Sequence, residues 1–309
     1  MKINVLDAFT ANRIAAGEVV ERPVSVVKEL VENSVDAGAT RISIEIENGG
    51  IRKIRVSDNG CGIDPEDCAL AFERHATSKI KSPHDLDAIA TLGFRGEALC
   101  SIAAVAQVEL VSRVKGADEG TRVRIHGGTI LENAPFGCPE GTSILVENLF
   151  YNTPARLEFL KTPAREAGEI AYYVANAIMA NPEIAFSFVS DGKQVYRSPG
   201  RGDLLYTLFT VYGREIVNKI AHVDHEQDGV RVQGYVTYSE AARSNRSYQS
   251  FFVNRRYIQS HQLSAALSQA FGTRLPVGKF PLCALHITLP ADCVDVNIHP
   301  NKLQVRFKD

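Results

Sequence analysis

Glu29-Leu30-Val31-Glu32-Asn33 is the stretch on which the reading of this chain turns. Around it, Val24, Val27, Leu30, Val31 and Val35 recur at helical spacing, Pro23 suits a first helical turn and Gly38 suits a C-terminal stop. On such a helix Glu29 and Asn33 stand one turn apart on one face. A carboxylate there can take a proton from water as a general base. An amide oxygen one turn on can ligate Mg²⁺, which takes oxygen ligands and bridges substrate phosphates. Taken alone, the pair reads more readily as a solvated helix face, because Glu32 and Asp36 are polar as well. The motifs downstream of the helix reverse that preference.

Residues 41–47 alternate Ile42, Ile44 and Ile46, Gly49-Gly50 makes a turn, and residues 51–56 return as a hairpin partner. Asp58-Asn59-Gly60-Cys61-Gly62-Ile63 then puts Asp58 at a strand end. Gly60 and Gly62 let backbone approach a flat ligand, and an acceptor carboxylate suits the exocyclic amine of adenine. Gly93-Phe94-Arg95-Gly96-Glu97-Ala98-Leu99 is a glycine-bearing loop feeding an apolar helix, a natural phosphate site. Gly141-Thr142 opens an alternating strand over 143–149. In this order the motifs describe a nucleotide pocket built without a P-loop. Gly278-Lys279 lacks the upstream Gly and the following Ser/Thr of one.

With 309 residues, two domains are expected, and 45% apolar with 23% charged residues is ordinary for a globular protein. A boundary near Ser198-Pro199-Gly200-Arg201-Gly202-Asp203 gives domains over 1–200 and 201–309. Helices are expected at 163–180 and 261–271, with strands at 184–189, 194–196, 230–238, 250–258, 282–289 and 303–307 and residues 204–213 just after the boundary, so the fold class is α+β. No apolar run reaches membrane-span length and the start lacks a signal-peptide pattern, which points to a cytoplasmic chain with no membrane partner. The six cysteines form no C-x-x-C pair, so scattered thiols rather than a zinc site are expected. A formal charge of −2 means that any DNA-binding face is a local patch. Arg243, Arg246, Arg255 and Arg256 are the candidates, with Lys161, Arg165, Arg274 and Lys279 in reserve.

The order of these motifs resembles the Bergerat-fold ATPases, the group that holds gyrase B subunits, ninety-kilodalton heat-shock chaperones, histidine kinases and MutL proteins. Several stretches are similar to the MutL mismatch-repair family in particular. They are Ile14-Ala15-Ala16-Gly17-Glu18-Val19-Val20-Glu21-Arg22-Pro23, residues 28–40, Arg74-His75-Ala76-Thr77-Ser78-Lys79, residues 93–99, Leu149-Phe150-Tyr151-Asn152-Thr153-Pro154-Ala155-Arg156 and Asp295-Val296-Asn297-Ile298-His299-Pro300-Asn301-Lys302.

That resemblance implies a Bergerat-type α/β sandwich followed by a second α/β domain with a left-handed βαβ crossover, rare in proteins at large. It implies ATP and Mg²⁺ as ligands. Glu29 would be the general base and Asn33 the Mg²⁺ ligand, and Asp58 would read the adenine amine with Gly62 and Thr142 beside the base. Thr77, Ser78, Gly93, Phe94, Arg95, Gly96, Glu97, Ala98 and Leu99 would close over the phosphates, and Lys302 would reach the γ-phosphate from the second domain. It further implies homodimerisation through an N-terminal arm over about residues 1–22, weak sequence-independent DNA binding in a nucleoid-associated protein, and MutS with other repair proteins as partners. The chain reads as an N-terminal fragment, with any nicking site beyond it. Two alternatives are an ATP-gated scaffold with incidental hydrolysis and a gyrase-B-type subunit, whose switch lysine follows Gln-Thr where this chain has Pro-Asn.

Overall fold

The computed structural model describes residues 17, 19–77, 96–290, 293–295 and 306–307. Chain contacts divide it into two units that part between Pro199 and Gly200, except that residues 175–183 group with the second.

The first unit is built on helix α1 (Pro23–Asp36) and strands β1 (Arg41–Glu47) and β2 (Lys53–Asp58). Short helices α2 (Asp67–Leu70) and α3 (Ala98–Val105) lead into a meander of β3 (Gln107–Arg113), β4 (Gly120–His126), β5 (Thr129–Phe136) and β6 (Gly141–Glu147). Then come α4 (Pro154–Glu158), α5 (Pro163–Ala180), β7 (Ala185–Ser190) and β8 (Lys193–Pro199). The strands form one sheet in the order β5-β4-β3-β6-β2-β1-β7-β8. All neighbours are antiparallel except β1 and β7, which run parallel with the remaining elements between them.

Period-two alternation aims one face inward. Ile42, Ile44, Ile46, Ile54, Val56, Leu110, Val123, Val146, Phe186 and Phe188 are buried, as are Val26, Val27, Leu30 and Val31 of α1, Ile102 and Val105 of α3, and Ile170 and Val174 of α5. Helices thus cover the inner face of the sheet. Three of its strands fall where the sequence reading placed no element, between residues 106 and 136. Val108 and Leu110, then Val123 and Ile125, do alternate there, but β5 lies at the sheet edge and is mostly exposed, so it carries little pattern.

The second unit holds α6 (Leu204–Tyr212), α7 (Arg214–Val217), β9 (Ile220–Gln227), β10 (Val230–Thr237), β11 (Gln249–Val253), β12 (Arg256–Ile258), α8 (His261–Phe271) and β13 (Cys283–Thr288). Its sheet runs β12-β11-β13-β10-β9, and β11 and β13 are parallel with α8 between them in sequence. Phe251, Val253, Ile258, Cys283, Leu285 and Ile287 pack with Leu263 and Leu267 of α8, while Phe252 and Ala284 pack with Met179, Ala180 and Leu208. The sheet is therefore covered on both faces. The single strand expected over 250–258 is two strands, because Asn254 and Arg255 take left-handed backbone (φ 46 and 70) and turn the chain. Of the strand expected over 303–307, only β15 (Arg306–Phe307) lies within the described residues, paired with β14 (Val294–Asp295). Among the described residues no cysteine is in a disulfide, and no helix is long and apolar enough to cross a membrane.

Ile44 is fully buried on β1 of the first sheet, registered between Val56 and Phe188. Ile44→Ala leaves a cavity there and should cost about 2–5 kcal/mol, read as a lowered denaturant midpoint in equilibrium unfolding.

Candidate functional site

Helix α1 buries Val26, Val27, Leu30, Val31 and Ser34 against the sheet, so Glu29 and Asn33 fall together on its flank, both half-buried. The helix starts at Pro23, whose missing N–H costs nothing in a first turn. Just before it, the Arg22 guanidinium donates to the fully buried Glu166 carboxylate at 2.8 Å. Beside Glu29, the Tyr173 hydroxyl of α5 donates to the Lys28 carbonyl at 3.3 Å. Burial, and then the Glu32 and Glu29 carboxylates, push that phenol well above its ordinary range. The flank of α1 therefore sets the Glu29 and Glu32 side chains beside a dry interior.

The last residue of β2 is Asp58. Its carboxylate accepts from the Ser34 hydroxyl at 2.7 Å and from the Gly60 N–H at 2.8 Å. Burial pushes its carboxyl up, and the donors of Gly60, Ser34 and Thr142 oppose that. The same register that pairs Asp58 with Thr142 of β6 pairs Thr142 with Ser112 of β3. Residues registered on adjacent strands share a face, so Asp58, Thr142, Ser112 and, on β4, Thr121 form a polar row at the strand ends, next to the buried apolar row of Val56, Ile144, Leu110 and Val123. Ser112 is 1% exposed. Its hydroxyl lies 2.8 Å from the Thr142 hydroxyl and 3.0 Å from the Gly141 carbonyl, and it accepts from the Ile63 N–H at 2.9 Å.

Glycine is required at two places in this corner. Gly141 has φ +104, and a Cβ there would stand 2.1 Å from the Asp58 carbonyl oxygen. Gly62 has φ +79, and a Cβ there would stand 2.3 Å from the Arg113 carbonyl oxygen. Both are left-handed conformations pressed against backbone, which a side chain could not occupy.

Ahead of α3, Thr77 and Gly96 come together: a Cβ built on Gly96 lies 3.2 Å from the Thr77 Cβ. His75 Nδ1 lies 3.4 Å from Glu97 Oε1, and the Glu97 carbonyl accepts from the Ser101 N–H as α3 begins with Ala98 and Leu99. Ser78, Gly93, Phe94, Arg95 and Lys302 lie outside the described residues. Sequence reading overlooked Ser34, Ser112 and Tyr173. The signal for Ser112 was available, since a serine continues the inward series Val108, Leu110 where an apolar residue is expected. Ser34 and Tyr173 carry no such mark, because only the fold shows what they face.

The basic candidates are distributed over the second unit. Arg243 and Arg246 are exposed and lie over the Tyr248 and Phe280 rings at 5.6 and 4.7 Å. Arg255 projects from the β11–β12 turn and pairs with Glu183, and Arg256 is half-buried on β12. In the first unit Lys161 pairs with Glu169 at 2.9 Å, and Arg165 is exposed. Arg274 and Lys279 are exposed. Among the described residues no group of three or more His, Cys, Asp or Glu side chains converges on a metal position.

Known proteins share this arrangement. Residues 21–128 match the family of histidine kinase-, DNA gyrase B- and HSP90-like ATPases, and residues 208–309 match the C-terminal domain family of DNA mismatch repair proteins. The DNA mismatch repair protein MutL of Symbiobacterium thermophilum is 50% identical over 307 residues, 99% of this chain and 48% of that protein. The chain spans about half the length of the curated relatives it matches. The N-terminal domain of a DNA repair protein superposes with TM-score 0.82 at 26% identity, covering 96% of this chain and 92% of that one. The Aquifex aeolicus MutL ATPase domain, solved with ADP, superposes with TM-score 0.66 at 30% identity, covering 88% and 93%. A polar row beside a Glu–Asn helix flank, in a chain with these matches along nearly its whole length, makes this chain a member of the MutL family.

Proposed function

We propose that this chain is the ATPase module of a DNA mismatch-repair protein, binding ATP with Mg²⁺ and hydrolysing it slowly. One observation carries the reading. Ser34, which follows Asn33 directly on α1, donates to the Asp58 carboxylate, so the helix flank suited to phosphate chemistry and the acceptor suited to adenine are tied to each other. A nucleotide needs both at a fixed separation.

The residues fit the ligands. Asp58 accepts from an adenine amine while Ser34 and Gly60 hold its carboxylate in place, and Gly62 and Gly141 let the backbone of this corner close up on that of Arg113 and Asp58. A single amide oxygen, that of Asn33, is a sufficient protein share for Mg²⁺, which usually keeps waters and phosphate oxygens as its other ligands. When bound, that ion neutralises charge on the phosphates. Glu29 is the group on this flank able to orient a water and take its proton. Thr77 and residues 93–99 surround the phosphates, and Lys302 brings a cation to the γ-phosphate, a task suited to a compact charge on a long stem. The domains are 1–200 for nucleotide and 201–309 for transduction.

On nucleotide binding, two protomers join through the arm over about residues 1–22. Closure of this kind is a population shift towards the state that contacts nucleotide best. The joined pair binds DNA weakly through phosphate contacts from Arg243, Arg246, Arg255 and Arg256 and couples a mismatch-recognition protein of the MutS type to later repair proteins. Arg255 already pairs with Glu183, in keeping with weak binding.

Glu29→Ala should keep ATP affinity within a few-fold and lower turnover by ~10²–10⁴-fold; steady-state hydrolysis near the unaltered rate would sink the assignment. Asn33→Ala should weaken Mg·ATP binding itself, and Asp58→Asn should weaken binding with or without Mg²⁺, both measured by equilibrium titration of a labelled analogue. If neither change weakens binding, the pocket lies elsewhere. For Lys302→Ala, hydrolysis should slow while the thermal unfolding midpoint stays put. An unchanged rate would mean that the second domain does not complete the site.

A further inference from the structure

Ser112 is named by none of the motifs, yet its hydroxyl meets three partners in the base corner. The donors and acceptors around it can be counted. A serine hydroxyl has one proton to give and two lone pairs to fill. Around this one stand a fixed donor, the Ile63 N–H at 2.9 Å, a fixed acceptor, the Gly141 carbonyl at 3.0 Å, and a rotatable hydroxyl, that of Thr142, at 2.8 Å. One assignment satisfies all of them. Ser112 gives its proton to the Gly141 carbonyl and accepts from both the Ile63 N–H and the Thr142 hydroxyl. The alternative, in which Ser112 donates to Thr142, leaves one of its lone pairs empty and the Gly141 carbonyl without this donor, inside a site where Ser112 is 1% exposed. Buried polar groups left without partners are costly, so the saturated assignment wins.

That assignment fixes the neighbour. With its proton committed to Ser112, Thr142 has only lone pairs to offer. Asp58, beside it in the same cross-strand row, likewise offers lone pairs, with its own donors supplied by Ser34 and Gly60. We propose that Ser112 is a specificity-determining positioning residue: by holding the Thr142 proton it makes the base-reading edge of the pocket acceptor-only, so that a 6-amino purine is taken and a 6-oxo purine refused. The inference rests on the nucleotide reading of this pocket. An adenine amine donates to such an edge directly or through a water. The carbonyl oxygen of hypoxanthine or guanine meets acceptors there and finds no proton. Loss of the Ser112 hydroxyl frees Thr142 to turn its proton towards a 6-oxo group, and the edge stops discriminating.

The test compares ADP with inosine diphosphate, which differ in the 6-substituent and in the proton that the 6-oxo base carries on N1 and are not hydrolysed, by calorimetric titration of the whole chain. In the unaltered protein ADP should bind more tightly. In Ser112→Ala the ratio of the two affinities should fall by about five- to tenfold, the factor that one hydrogen bond of ordinary net strength supplies. Ser112→Thr, which keeps the hydroxyl, should restore it. A merely structural role would weaken both ligands alike and leave the ratio where it was, and that result overturns the inference. If Ser112→Ala does not fold, Ser112→Cys, with a weak donor of similar volume, must lower the ratio in the same direction or the inference fails. Absence of ADP binding by the unaltered protein overturns the pocket reading and this inference with it; binding with an unmoved ratio in the variants overturns this inference alone.

Discussion

A carboxylate at the end of a central strand, half-buried, has to be held by donors or it will not stay charged, and the first unit is arranged around that requirement at Asp58. Burial works against its ionised form. The Ser34 hydroxyl and the Gly60 N–H supply the compensation. Each comes from an element that the nucleotide reading needs for another reason. Ser34 belongs to the helix that carries Glu29 and Asn33, and Gly60 opens the turn whose next glycine, Gly62, lies against the Arg113 backbone. Displacing Asp58 would therefore disturb the acid–amide flank and the base corner together.

The sheet makes this possible by its order. Placing β6 between β2 and β3 registers Thr142 with Asp58 on one side and with Ser112 on the other. These strands are far apart in the chain, and only that order makes a continuous polar row from them. The next registered row on that face is the apolar Val56, Ile144, Leu110 and Val123, so in the proposed reading the polar row is where a ligand's hydrogen-bonding edge meets partners rather than mere cover. Helix α5 in turn ties down α1 through Arg22–Glu166 at the helix start and Tyr173 beside Lys28. A helix fixed at its entry and along its flank keeps Glu29 and Asn33 in register with the row.

Much of this was legible in the sequence. Helix α1, the β1–β2 pair, α5 and α8 each carry a strong period with a proline, glycine or polar residue at an end, and those signals are local. Asp58 and Gly62 stood out because glycines crowd the turn after β2, whereas Thr142 was singled out only through the resemblance to the family. The meander β3–β5 was not, since an exposed edge strand such as Thr129–Phe136 shows almost no alternation. Nor was the split of residues 250–258, which rests on left-handed backbone at Asn254 and Arg255: asparagine favours that conformation, but arginine rarely adopts it and there is no glycine to mark the turn. Ser34, Ser112 and Tyr173 matter through partners between 24 and 145 residues distant, and a single sequence holds no record of pairings at that range.

If Asp58 reads an adenine while α1 faces the phosphates, as proposed, a crystal structure of the chain with ADP and Mg²⁺ will show it most directly. The adenine amine should lie within hydrogen-bonding distance of the Asp58 carboxylate, the base against the backbone at Gly62, and the metal beside the Asn33 amide. A nucleotide seated away from this corner, or one with its base at Asn33 and its phosphates at Asp58, would contradict that assignment.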